Sequence, residues 1–172
     1  MTPSDLAVVL QYEHQWQETK YWCGPAAARV ALSCRGIHLT QAELAGQLGT
    51  DGDGTDHIGQ ITRVLGSLVG WYETKEMPSD PPSPEQRDLL WRDVTHNVDN
   101  GYGLVANIVA PPGNHPPGYP SDQTIYHYFT VVGYQPDSRD VFVVDSAQFS
   151  QGQYWIGFDL LASLIPPKGY SA

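Results

Sequence analysis

Gln17 stands six positions ahead of Cys23, and the residues directly after the cysteine, Gly24-Pro25-Ala26-Ala27-Ala28, open a helix-favouring segment. A cysteine at a helix N-terminus sits among unpaired backbone N–H groups at the positive end of the dipole. That setting favours thiolate over thiol and so activates sulfur as a nucleophile. The Gln17 amide, with the backbone N–H of Cys23, suits the oxygen of a tetrahedral intermediate. This chemistry requires a base elsewhere in the chain.

A β-favouring segment from Ile125 to Tyr134 carries His127 near its start, and a second, Val141 to Asp145, follows a Pro136-Asp137-Ser138 turn. Two such runs around a short turn read as an antiparallel hairpin. His127 opens the first strand and Asp145 closes the second, so pairing brings both to one end. There the carboxylate holds the imidazole in one tautomer while the other ring nitrogen faces the thiolate. His127 is preferred as base over His14 and His38, which lie near predicted turns and are read as solvated, over His96 in an amphipathic helix, and over His57 near a helix start. Asp140, ahead of its strand, reads as a turn residue.

Those side chains need positioning elements. The first predicted helix covers 24–35, with Pro25 in its first turn and Gly36 past its end. Thr40 and Glu43 form a capping box for a short helix through Leu48. Thr55 or Asp56 caps a third helix with an apolar stripe of Ile58, Ile61, Val64, Leu65 and Leu68. Ser83-Pro84-Glu85-Gln86 starts a fourth, running to about Val98 and stopped by Asn100-Gly101. These four are read as the cysteine-bearing half. The period then changes: strands are predicted at Tyr102–Ala110, Tyr126–Tyr134, Val141–Asp145 and Gln153–Phe158, followed by a short helix at Asp159–Leu164. Helices first and strands after give an α+β domain, helices packed on an antiparallel sheet. The loop Pro111–Thr124, dense in Pro and Gly, is long enough to be functional and is expected to wall a substrate groove.

This order resembles the papain-like cysteine peptidases, most closely the bacteriocin-processing C39 branch, in which Gly and a small residue or Pro follow the cysteine and the histidine strand runs into an apolar stretch ending in Gly-Tyr, here Gly133-Tyr134. Over nearly the full length, the segments Tyr21-Trp22-Cys23-Gly24-Pro25, Gly54-Thr55-Asp56, Gly101-Tyr102-Gly103, Val109-Ala110-Pro111-Pro112, Tyr126-His127-Tyr128 and Leu164 to Tyr170 are similar to the N-terminal peptidase domain of mycobacteriophage lysin A endolysins. The resemblance implies a papain-like fold over residues 1–172, a catalytic set of Gln17, Cys23, His127 and Asp145, and peptide bonds of peptidoglycan stem peptides as substrate. Trp22, Gly24, Tyr126 and His115 are expected to contact that substrate. Two other readings stand beside it: a double-glycine leader peptidase, and a catalytically silent wall-binding module.

Composition narrows the field. The 172 residues suit one domain, and 17 glycines and 14 prolines suit generous loops. A net charge of −10 with nine Lys and Arg argues against nucleic acid, and against simple adhesion to anionic envelopes. Wall anchoring is therefore expected from further lysin domains, with Pro166 to Ala172 read as the start of a linker and the chain as a monomer. No run approaches the roughly 20 apolar residues that span a bilayer. Met1 to Asp5 lacks a basic start and Leu6 to Leu10 is too short for a signal-peptide core, so synthesis in the host cytoplasm and action on the wall after release are expected. Cys23 and Cys34 lie eleven apart on one helix, roughly 16 Å, beyond disulfide reach. Cys34 reads as a small buried apolar residue. Asp51-Gly52-Asp53-Gly54-Thr55-Asp56 has the alternating oxygens of a calcium loop, but Thr62 stands where the bidentate Glu belongs, and a turn feeding a helix explains it better. No spacing suits zinc, and no cofactor is expected.

Overall fold

The computed structural model describes residues 7–172; the Met1–Asp5 opening, read above for its lack of a basic start, lies outside them. Among the described residues the helices are α1 (Cys23–Ser33), α2 (Gln41–Leu48), α3 (Ile58–Val69), α4 (Pro84–Asp99) and α5 (Phe158–Leu164). The strands are β1 (Val8–Val9), β2 (Thr74–Glu76), β3 (Leu104–Ala110), β4 (Ile125–Gln135), β5 (Asp140–Val144), β6 (Gln153–Gly157) and β7 (Gly169–Ser171). They form one antiparallel sheet in the order β2-β7-β3-β4-β5-β6, with β1 paired to β4 outside this path.

Period-2 alternation along β3 shows how the sheet is covered. Val105 joins Ala27, Leu32, Leu44, Ile61 and Leu65 from α1, α2 and α3. Its neighbours Leu104 and Ala106 join Leu90 and Val94 of α4 and Leu161 of α5. The sheet therefore carries helices on both faces. The fourth helix does not belong with the cysteine-bearing half, as expected from chain order, but packs on the opposite face with α5. Its apolar positions Leu90, Val94 and Val98 follow helical spacing, and the sheet offers them a second apolar surface.

Local signals account for most boundaries. Thr40 and Ser83 form complete capping boxes with Glu43 and Gln86. The cap of α3 is neither Thr55 nor Asp56 but His57, whose Nδ1 accepts the Gly59 N–H at 2.9 Å while Gln60 returns a bond to the His57 N–H at 2.8 Å. Ile58, Ile61, Val64 and Leu65 are buried, whereas Leu68, near the helix end, is 38% exposed. β3 starts at Leu104 because Tyr102 is drawn off to stack on Trp71, ring centroids 4.3 Å apart. The sequence reading missed β1, β2 and β7, which are too short to display alternation. β7 also corrects the linker reading: Gly169 to Ala172 is buried, its strand lies between β2 and β3, and the Tyr170 hydroxyl donates to Asp93 Oδ2 at 2.7 Å. A register shift in β4 between Val131 and Gly133 is met by β1, whose Val8 carbonyl would lie 2.7 Å from a Cβ at Gly133.

Candidate active site

Helix α1 lies on β4, and β4 carries His127. The contact is fixed by the Thr130 hydroxyl, which donates to the Ala27 carbonyl at 2.8 Å. The run Ala26-Ala27-Ala28 lets the helix sit close, and all three are buried. At the helix start Gly24 touches the Asp51–Asp56 turn so closely that a Cβ there would meet Thr55 Oγ1 at 2.2 Å. Only glycine allows that approach. The Thr55 carbonyl in turn accepts the Tyr128 hydroxyl at 3.0 Å, so α1, the turn and β4 are locked together around Cys23.

His127 and Asp145 meet at the end of the β4–β5 hairpin, as the strand pairing demands: His127 Nε2 lies 2.7 Å from Asp145 Oδ1. This leaves Nδ1 for the thiol of Cys23, which lines the same cleft as the imidazole. Asp145 is wholly buried and accepts four hydrogen bonds: His127 Nε2–H, the Ala147 N–H at 3.0 Å, and the hydroxyls of Tyr119 and Tyr154, each at 2.6 Å. Four donors converging on two oxygens call for a carboxylate, which only accepts, rather than an amide.

Burial alone would make all three groups neutral, but their mutual interactions prevail. Burial pushes the Cys23 thiol up, yet the hydrogen bond and charge of His127, with the backbone N–H groups of Tyr128 and Gly24, hold it below its ordinary 9.0. Burial would lower His127, but the Asp145 carboxylate and then Cys23 raise it well above its ordinary 6.5. Burial would raise Asp145, but His127 and the two tyrosine hydroxyls hold it below 3.8. Each shift runs in the direction that favours a thiolate–imidazolium pair beside an ionised Asp145.

Gln17 is fastened on both sides. Its backbone N–H donates to the Ser146 carbonyl at 3.0 Å, its Oε1 accepts the Ser146 hydroxyl at 3.0 Å, and its Nε2 uses one N–H on the Thr19 carbonyl at 3.0 Å. His14 is not solvated as expected: its Nε2 donates to the Asp145 carbonyl at 2.8 Å. From the other side the fully buried Gln41 donates to Gln15 Oε1 and the Trp16 carbonyl and accepts the Glu18 N–H, each at 3.0 Å. Residues 14–18 are thus pinned between α2 and the segment after β5.

A cleft of about 210 Å³ opens beside Cys23, with Tyr126, Asn107, Asp53, Asp56 and Lys168 among its walls. Tyr126, 68% exposed, lies where substrate contact was expected. The other expected contacts do not line it. Gly24 is buried against Thr55. Trp22 is the residue preceding α1, and its carbonyl accepts the Ala26 N–H at 2.9 Å. His115 turns its Nδ1 to the Pro116 carbonyl at 2.8 Å and stacks against Tyr119. Its loop, expected to wall the groove, inserts Tyr119 beneath Asp145 instead. The Asp51–Asp56 segment is a turn in which the Asp53 N–H donates to Asp51 Oδ1 at 2.9 Å, and no group of three or more metal-ligating side chains occurs among the described residues.

A part-buried Cys beside a buried His-Asp pair, at the junction of a helix and an antiparallel sheet, defines the papain-like cysteine peptidase class. The chain belongs to the Peptidase C39-like family, whose sequence profile matches residues 9–163. Its fold is similar to that of a Bacillus anthracis protein described as a C39-like peptidase, with 12% identity, 96% of each chain covered and a TM-score of 0.66. It is also similar to the peptidase domain of Streptococcus ComA, a bifunctional ABC transporter of a quorum-sensing pathway, with 18% identity, 93% of this chain and 96% of that one covered and a TM-score of 0.59. A stretch of 45 residues is 47% identical to an uncharacterised protein of Methanothermobacter marburgensis; it spans 26% of this chain and 32% of that protein.

Proposed function

We propose that this protein is a cysteine endopeptidase that cleaves peptide bonds in the stem peptides of bacterial peptidoglycan, in the manner of a phage endolysin. The observation that carries the chemistry is the His127 imidazole, bonded to Asp145 and sharing an open cleft with Cys23. The Cys23 thiolate attacks the peptide carbonyl, forming a carbon–sulfur bond while the oxygen becomes an oxyanion facing the Cys23 N–H and Gln17. As the carbon–nitrogen bond breaks, His127 gives its proton to the departing amine. His127, now neutral, takes a proton from water as it attacks the thioester, and the thiolate leaves. The segments from Tyr21 to Tyr170 matched above to lysin A peptidase domains support the choice of substrate. On this reading the enzyme is made in the host cytoplasm, reaches the wall on release and acts as a monomer. With a net charge of −10, further domains supply wall affinity.

The test is digestion of isolated mycobacterial peptidoglycan by the protein and its Cys23→Ala variant, with fragments identified by mass spectrometry. New termini within the stem peptide, absent with the variant, are expected. Identical traces overturn the substrate. In that case a double-glycine leader peptide, the alternative read from the sequence and supported by a fold likeness to a double-glycine-motif protease of a transporter, is the next substrate to assay.

A further inference from the structure

Asn107 stands in the middle of β3, opposite Tyr128 in the register with β4, and lines the cleft beside Cys23. It is only 7% exposed, yet its side-chain amide has no hydrogen-bond partner among the described residues. Its polar atoms are not among the sealed, unpartnered ones, so they reach the cleft, where an amide that no protein group satisfies is available to a ligand. The same cleft is asymmetric in charge. Asp53 and Asp56 come from the turn that abuts Gly24, and neither is in an ion pair among the described residues. Lys168 stands alone against them, its ammonium 6.0 Å from the Tyr126 ring centroid.

We propose that this cleft is a subsite for a peptide residue bearing a free ammonium group next to the scissile bond. Asp53 and Asp56 pair with the ammonium, and the Asn107 amide hydrogen-bonds the adjoining peptide backbone. The inference rests on the reading of Cys23 as a peptidase nucleophile; within a stem peptide, a diamino residue supplies such a group. An amide with one donor face and one acceptor face matches a peptide unit, whereas two carboxylates beside it discriminate by charge. Asn107 is a binding residue, and the two aspartates set specificity.

The first experiment needs no peptide. In a Cys34→Ala background, Cys23 is modified with ethylammonium and ethylsulfonate methanethiosulfonates, and the rates are followed by mass spectrometry. The cationic reagent is expected to react roughly tenfold faster than the anionic one, and Asp53→Asn/Asp56→Asn to remove most of that preference. Neutral iodoacetamide should react equally with both forms, showing that the thiolate and fold are intact. A preference unchanged in the double variant overturns the proposal. The second experiment compares peptides whose diamino residue is free, acetylated on its side chain, or acetylated only at the chain terminus. Loss of hydrolysis on side-chain acetylation alone assigns the ammonium to the side chain, and loss on terminal acetylation alone assigns it to the terminus. Equal hydrolysis of all three contradicts the subsite. Asn107→Ala is expected to raise KM roughly tenfold with a smaller change in kcat, and an unchanged KM removes Asn107 from the proposal. If the wild-type protein cuts no stem peptide, the proposed function fails while the reagent preference still decides the subsite.

Discussion

The two ends of α1 each carry a cysteine, and the two thiols are driven in opposite directions. Cys23 opens the helix, with His127 beside it and backbone N–H groups directed at it, and its thiol is held below 9.0. Cys34 follows the last turn, packs against Val30, Val132 and Val144, and burial pushes its thiol up to about 12. Both are part-buried, and both are free of disulfides. Exposure therefore does not distinguish them; the end of the dipole and the neighbouring charge do. One helix thus carries a lowered thiol and a raised one eleven residues apart.

The largest expected effect breaks this comparison directly. Cys23→Ala should lower peptidase turnover roughly 10³-fold or more, as loss of a covalent nucleophile does, while Cys34→Ala should leave kcat/KM within about twofold. Comparable losses from both would dissolve the distinction.

Next comes the partner that creates the difference. Asp145→Asn keeps the shape but places an N–H₂ against a carboxylate site that receives four donors. Turnover should fall about 10²- to 10⁴-fold, and stability should drop by about 1–3 kcal/mol for each donor left facing the amide. Denaturant unfolding and single-turnover assays separate the two losses.

The pH profile sharpens the picture. Thiolate and imidazolium must coexist, so activity should be bell-shaped. The acid limb should lie below the ordinary thiol value of 9.0, because His127 lowers Cys23, and the basic limb above the ordinary imidazole value of 6.5, because Asp145 raises His127. A single sigmoid rising through pH 9 in kcat/KM would show an unpaired thiol.

The smallest effect is Tyr119→Phe, which removes one donor from Asp145. The carboxyl is lowered in the folded state, so its stabilisation is present above about pH 3.8 and lost as pH falls through its native value. The raised His127 has the opposite sign: its contribution is complete below pH 6.5 and lost as pH rises through its native value. The variant should therefore lose about 1.5–3 kcal/mol near neutral pH, and its acid unfolding should begin at higher pH when followed by circular dichroism.

How much of this was legible follows from distance along the chain. Cys23, His127 and Asp145 could be read because each sits at the end of an element whose type and direction local signals announce: the Pro25 start, the two β-rich runs and the turn between them. The supporting residues could not. Tyr119 lies in a loop whose length and Pro and Gly content suggest a groove wall rather than a donor to Asp145. Gln41 reads as an ordinary first-turn residue until α2 folds over residues 15–18. Tyr154 gave a faint signal, since an inward-facing tyrosine in the alternating strand β6 needs a partner for its hydroxyl. The second helical face of the sheet was missed for a similar reason: chain order groups α4 with α1, whereas packing groups it with α5.

The most direct measurement is the rate of iodoacetamide alkylation at each cysteine of the intact protein across pH 5 to 10, read by peptide mass spectrometry. Cys23 should be modified at and below neutral pH while Cys34 remains untouched until strongly alkaline conditions. His127→Ala should shift the Cys23 profile toward that of an ordinary thiol. Equal rates at the two sites, or a Cys23 profile indifferent to His127, would contradict the activation of Cys23 at the head of α1.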